Sequence, residues 1–153
     1  MSIWWSLHLR REAASVPLAR RLLMGTMETA GVDPDVSYEL SVALTEACAN
    51  AVEHGGGGGS RGPGGGALSE AYRVTAYLDG ETCRIEVADS GPGFPGRAAP
   101  AAPSDEAENG RGLRLIEELA DHVQFGNRSG RGGAVVSFDK ILKWRDSPAL
   151  LLA

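Results

Sequence analysis

The chain of 153 residues has no run rich in Lys or Arg, and its 20 acidic side chains outnumber 15 basic ones, leaving a formal net charge of -5. A molecule of that sign repels polyphosphate backbones at long range, which argues against a nucleic-acid binder. Long apolar runs are missing too. The terminal ALLLA (149 to 153) is far shorter than the roughly 20 residues a bilayer helix needs. The opening MSIWWSLHLRRE is interrupted by His8 and closed by Arg10 and Arg11, too brief for a signal peptide. The expectation is a soluble, cytoplasmic protein with no membrane contact. Cysteine is scarce: Cys48 and Cys83 lie too far apart for a CxxC ligand pair and read as reduced, buried thiols.

Glycine alone is in excess, and one segment explains it. Residues 55 to 66, GGGGGSRGPGGG, hold nine of the 21 glycines, and the remainder has an ordinary globular share. That segment lacks the Lys that follows the glycines of a P-loop, so it reads as a flexible connector. With 42% hydrophobic residues, a single domain over 1–153 can bury a core without disulfides or structural metal.

Residues 4 to 10 alternate as a strand does, and Pro17 sits at the tolerant first turn of a helix over about 17 to 30 that Gly31 would stop. Ala19, Leu22, Leu23 and Ala30 form its expected apolar side. Asp33 is placed to cap a second helix that starts at Pro34 and runs to His54, where Gly55 would end it. Leu40, Ala43, Leu44, Ala47 and Ala51 make its buried stripe. Val74, Ala76 and Leu78, an Asp79-Gly80 turn, and then Cys83, Ile85 and Val87 predict a hairpin. Residues 92 to 109 carry Pro92, Pro95, Pro100 and Pro103 and read as a mobile loop. A third helix from about Arg111 buries Leu113, Ile116 and Ala120, and strands follow around 123 to 127 and 133 to 142. Strand pairs outnumber crossovers, which predicts an α/β (α+β) two-layer sandwich: a mixed, largely antiparallel sheet with helices on one face.

Gly91, Gly93 and Gly96 match the dinucleotide fingerprint literally, but Phe94-Pro95 and the APAAP run at 99 to 103 forbid the helix that must follow it. The second helix is more informative. Glu46, Asn50 and His54 recur every four residues, drift by only roughly 40° per step and share a face beside the buried stripe. A carboxylate there can take a proton from a hydroxyl nucleophile, and an Asn carbonyl one turn on can join the oxygen shell of Mg²⁺. On the helix alone, solvated helix positions are the reading to prefer. Asp89 ends the second hairpin strand before Ser90-Gly91-Pro92-Gly93-Phe94. It is either a turn former or a carboxylate that accepts a bond from an exocyclic amine while the glycines admit a flat ring. Gly110-Arg111-Gly112-Leu113 opens the third helix, as a plain N-cap or as a phosphate site with Arg111 as an added donor.

ELSVALTEACANAVEHG (39 to 55), ADSGPGF (88 to 94) and NGRGLRLIEELAD (109 to 121), in that order, resemble the N box and the two glycine boxes of the GHKL ATPase/kinase superfamily. This is the Bergerat fold of gyrase, heat-shock chaperones, mismatch-repair proteins and histidine kinases. The resemblance spans about residues 8 to 143, with the Pro-rich segment at about 94–109 in the place of the ATP lid. Size and the opening SVPLARRLL (15 to 23) are most similar to the RsbW/SpoIIAB group of anti-sigma factor serine kinases. The resemblance implies Glu46 as catalytic base and Asn50 as Mg²⁺ ligand. It implies Asp89, Gly91 and Gly93 at the adenine, and Gly110, Arg111, Gly112 and Leu113 at the phosphates of ATP. Arg20, otherwise a plain solvated side chain, would lie on the surface that meets a sigma factor and an anti-anti-sigma (STAS-type) substrate. Two departures stand out. The family usually has Thr after the Gly of its last strand pair, helping to bind adenine, whereas Gly133 is followed here by Ala134; and the 55–66 segment is longer than the usual connector.

Three functions compete at this level. The first is an ATP/Mg²⁺-dependent serine kinase that also sequesters a sigma factor. The second is a non-catalytic partner-binding regulator of the same fold, which Ala134 favours. The third, a detached histidine-kinase domain, lacks a long upstream helix with a phosphoacceptor, His8 being the only His before the N box. Members of the group often form homodimers, and Trp4 and Trp5 are candidates either for such an apolar contact or for the core.

Overall fold

A computed structural model describes residues 2–54, 71–89, 113–127 and 133–145, the side chains of His54 and Asn127 excepted. Strand β1 (Ile3–Arg10) leads through a 3-10 turn (Ala13–Ser15) into helices α1 (Val16–Ala30) and α2 (Pro34–His54). Strands β2 (Ala71–Leu78) and β3 (Thr82–Asp89) follow, then a helical run over 113–119, labelled α3, and strands β4 (His122–Asn127) and β5 (Ala134–Ile141). The sheet order is β1-β2-β3-β5-β4, and every pairing among these strands is antiparallel. The two-layer sandwich expected from the sequence is therefore present. The sheet is antiparallel throughout its described strands rather than mixed, which is also incompatible with the parallel dinucleotide fold.

Local chemistry sets the helix ends. At Gly31 the backbone turns left-handed (φ +89°), and its N–H reaches Met27 O and Glu28 O at 3.0 and 3.1 Å, closing α1 as only a residue without Cβ does readily. Asp33 Oδ2 then accepts the Asp35 N–H at 3.1 Å and caps α2 behind Pro34, as its side chain predicts. In the β2–β3 hairpin, Asp79 Oδ1 accepts the N–H groups of Glu81 and Thr82 at 2.7 and 2.8 Å. Those two bonds hold the Asp79 carboxyl below its ordinary range.

Alternation sorts the sheet into two faces. Ile3, Trp5, Leu7 and Leu9 of β1 are in register with Leu78, Ala76, Val74 and Tyr72 of β2, and this face packs against the helices. The α2 stripe of Leu40, Ala43, Leu44, Ala47 and Ala51 is buried as expected, joined by Val36 and Cys48. The α1 stripe differs from the expectation. Leu22 is 40% exposed, Ala30 is only partly buried, and Met27 joins Ala19 and Leu23 inside. Buried positions at 19, 23 and 27 trace a narrow seam against α2, and Leu22, one residue or about 100° away, falls outside it. Ile116 of α3 is fully buried, with Leu113 and Ala120 packed at the core edge. Trp5 and Trp4 part company: Trp5 Nε1 donates to Thr26 Oγ1 at 3.1 Å on the helix side, whereas Trp4 stands on the open face, 57% exposed, beside the Tyr77 ring.

Among the described residues no helix is long and apolar enough to cross a membrane. The 55–66 connector, the 94–109 lid, the end of α2 at Gly55 and the start of α3 near Arg111 lie outside the described residues.

Candidate functional site

Helix α2 brings Glu46 and Asn50 to one side, and both are half-buried, flanked by the fully buried Ala43, Ala47 and Ala51. That is the rim position the four-residue spacing predicts. Asp89 ends β3 with the inward parity of Ile85 and Val87, and is 8% exposed. Its Oδ1 accepts the backbone N–H of Ala134 at 3.1 Å. Gly133, with φ of +99°, turns the chain into β5 just before that bond. A buried carboxylate is thus held at the junction of β3 and β5, on the sheet face against which α2 packs.

Leu113, the first residue of the described run of α3, is half-buried against the core. Gly91, Gly93, Gly110, Arg111 and Gly112 lie outside the described residues, as does the side chain of His54. Arg20 is exposed on α1, and its guanidinium reaches Thr45 Oγ1 at 3.5 Å, so it stands beside the α2 residue that precedes Glu46. The donor set suits Mg²⁺ better than a closed protein cage. Among the described residues no group of three or more His, Cys, Asp or Glu is gathered, whereas Mg²⁺ is commonly held by one or two protein oxygens with substrate phosphates and water.

Behind the rim lies a buried polar chain that sequence reasoning missed. Ser15 Oγ donates to Glu12 O at 2.7 Å and lies 2.6 Å from Tyr72 Oη. Ser15 Oγ thus ties the turn before α1 to Tyr72 of β2, and the Tyr72 hydroxyl also interacts with the buried Cys48 thiol of α2. Burial pushes the Cys48 thiol up to about 12, partly offset by the Tyr72 hydroxyl. Burial likewise raises Tyr72 to about 12, partly offset by its hydrogen bond with Ser15. The chain is therefore uncharged at neutral pH. Beside it, the Arg11 guanidinium donates to Val52 O at 2.6 Å, in the last turn of α2. The available signal was Tyr72 itself, an aromatic at the first inward position of β2.

A third tie crosses the layers. Lys140 Nζ of β5 donates to Leu119 O at the end of α3 (2.8 Å) and pairs with Glu39 Oε1 of α2 (3.1 Å).

Comparisons with known proteins agree with this architecture. The model of the histidine kinase-like ATPase domain matches residues 9–140. The serine-protein kinase RsbW of Bacillus velezensis is 30% identical over 128 residues, covering 78% of this chain and 75% of that protein. In fold, the crystal structure of the RsbU and RsbW domains of a Mycobacterium tuberculosis protein is similar at a TM-score of 0.61 and 19% identity. That match covers 92% of this chain and 34% of the other, so this chain spans about a third of that larger protein. The SiaB–SiaC complex from Pseudomonas aeruginosa matches at 0.57 and 11% identity, over 90% and 89% of the two chains. A helix-backed antiparallel sheet, a family model over most of the length and a relative at this identity converge: the chain belongs to the histidine kinase-like ATPase family, in its RsbW-like serine-protein kinase branch.

Proposed function

We propose that this protein is an ATP- and Mg²⁺-dependent serine kinase that phosphorylates an anti-anti-sigma partner of the STAS type and sequesters a sigma factor, in the cytoplasm. The observation that carries this is the pairing of half-buried Glu46 and Asn50 on α2 with the buried Asp89 carboxylate at the end of β3. In this reading Asp89, with Gly91 and Gly93, receives the adenine, accepting a bond from its exocyclic amine. The N–H groups of Gly110, Arg111, Gly112 and Leu113 hold phosphate oxygens at the start of α3. Asn50 would hold Mg²⁺, which neutralises phosphate charge when bound. Glu46 takes the proton of the attacking serine hydroxyl, and positioning supplies much of the rate. Arg20, exposed on α1 beside Thr45, faces the protein partner in this reading. SiaB, similar in fold, is seen in complex with SiaC, which supports a protein partner for this fold. A homodimer belongs to the same reading, and exposed Trp4, rather than Trp5, is the apolar contact it would use.

Glu46→Gln is the direct test. Removing the base while keeping the shape should leave ATP affinity within about twofold and lower phosphotransfer by about 10²-fold or more, read by radiolabel transfer to the purified partner. Equal transfer by the variant would overturn the assignment. Ala134 favours a second reading, a non-catalytic regulator: it brings no hydroxyl to the adenine side, only the backbone N–H that Asp89 accepts. Under that reading, partner affinity ignores ATP and the partner never gains phosphate.

A further inference from the structure

Strand β1 forms one edge of the sheet, and among the described residues no strand lies on its other side. The bond from Asp79 N–H to Thr82 O (3.0 Å) closes the β2–β3 hairpin and sets which residues of each ladder exchange hydrogen bonds. Counted from it through both registers, Ile3, Trp5, Leu7 and Leu9 bond to β2, so the N–H and C=O groups of Trp4, Ser6 and His8 point away from the sheet. The pairing runs through all eight residues of β1 with neither bulge nor proline, two devices that commonly blunt an edge. The inward row of β1 is unfinished as well. Ile3, Trp5 and Leu7 are half-buried, whereas Val74, Ala76 and Ile85, of the same parity one and two strands in, are at most 1% exposed.

Helix α1 extends this bare margin. Thr26 meets Trp5 of β1 on one flank of the helix, and Arg20 meets Thr45 of α2 on the other. At about 100° per residue, Leu18, Leu22, Gly25 and Thr29 form one stripe on the Thr26 flank, turned away from α2. All four are exposed and uncharged, Leu18 by 51% and Leu22 by 40%. Gly25 stands in the helix interior, where glycine costs about 1 kcal/mol against alanine, yet a Cβ there would meet nothing within 4 Å. No neighbour within the described protomer calls for this glycine, whereas close approach of a second helix does.

We infer that β1 is a self-pairing edge: two copies of this chain join antiparallel along it about a twofold axis at Ser6, merging two five-stranded sheets into one. In that register Ile3 faces Leu9 of the second copy and Trp5 faces its Leu7, an apolar row on the helix side. On the open face Trp4 lies opposite His8 of the second copy, Ser6 meets Ser6, and no charge faces its like. Trp4 thus remains the exposed aromatic of the contact, and Trp5 adds only the flank that α1 leaves bare. The two α1 helices run antiparallel over the joint, two strand spacings or roughly 10 Å apart, a separation at which helices pack, with Leu22 set against the gap at Gly25. The opposite edge, β4, offers six residues that include Gly126. This pairing gives the proposed homodimer its surface and does not depend on the chemistry of the ATP cleft.

Light scattering on the eluting protein and sedimentation test it, with wild type expected as a dimer. Ser6→Pro removes an N–H that β2 does not use, which an edge strand tolerates, and should raise the dimer dissociation constant on the order of a hundredfold. Gly25→Glu, at a helix position with open space around it, should do the same without touching the strand. Tyr77→Glu, on the open face one strand in, should leave the dimer intact. Oxidised Ser6→Cys should run as a disulfide-linked dimer, because axial partners lie about 5.5 Å apart, within disulfide reach, while Cys48 and Cys83 are buried. A monomeric wild type overturns the inference and the homodimer with it, leaving the kinase reading to its own test. A dimer that survives Gly25→Glu overturns it, as does one that only Tyr77→Glu dissolves. A dimer without the Ser6→Cys cross-link overturns the axis at Ser6. Should Ser6→Pro not fold, Gly25→Glu decides.

Discussion

Asp89 combines a structural bond with a proposed recognition task, and the two can be separated by one atom. In Asp89→Asn the side-chain oxygen can still accept the Ala134 N–H, so β3 and β5 stay joined, but an NH₂ group replaces the second oxygen and opposes adenine's own amine, donor against donor. Calorimetry should therefore show ATP·Mg²⁺ affinity falling tenfold or more, for a loss of about 1.4 kcal/mol or above. Undiminished affinity would remove Asp89 from the adenine site. At this scale Glu46 and Asn50 were legible because helical spacing alone puts them on one side. Tyr72, Ser15 and Cys48 were not, since their meeting depends on three segments converging, and no spacing along the chain encodes that.

Among elements, Lys140 is the joint between layers. It bonds the last carbonyl region of α3, where a cation also suits the helix dipole, and pairs with Glu39 on α2. Lys140 is 15% exposed and Glu39 41% exposed, so the two partners should not weigh equally. Lys140→Ala is expected to lower unfolding free energy by about 1–2 kcal/mol, and Glu39→Ala by less than about 1 kcal/mol, because the carbonyl bond survives the second change. Urea denaturation of both single variants and the double checks this, and equal costs would show that the ion pair dominates. Element existence and order were readable from alternation and punctuation: Gly31, Asp33-Pro34 and Asp79-Gly80 each mark a boundary the structure keeps. The α1 face was read too broadly. Periodicity identifies apolar residues near a seam, whereas the width of the seam is decided by how closely α2 approaches, and Leu22 falls outside it.

For the molecule as a whole, the two thiols link stability to alkaline pH. Burial lifts Cys48 and Cys83 from 9.0 to about 12, with the charges of Asp79 and Asp139 adding at Cys83. Above pH 9 the unfolded chain loses these protons while the native protein keeps them, so the unfolded state gains. The thiols' contribution is complete below pH 9 and declines as the pH rises toward about 12. Urea melts between pH 8 and 11 should show the decline, and Cys83→Ala should shallow it; an identical slope in the variant would contradict the assignment.

The first ladder of the sheet carries a consequence for synthesis on the ribosome. Arg10 faces Ala71 and Ile3 faces Leu78, so β1 has no strand to join until both helices and the connector after them have been made. During that interval α1 and α2 emerge without the sheet that covers Leu23, Met27, Leu40 and Leu44. Lengthening the connector adds little to the closure entropy, which grows only with the logarithm of loop length. What it adds is waiting time, during which bare apolar helix is open to chaperones and to aggregation.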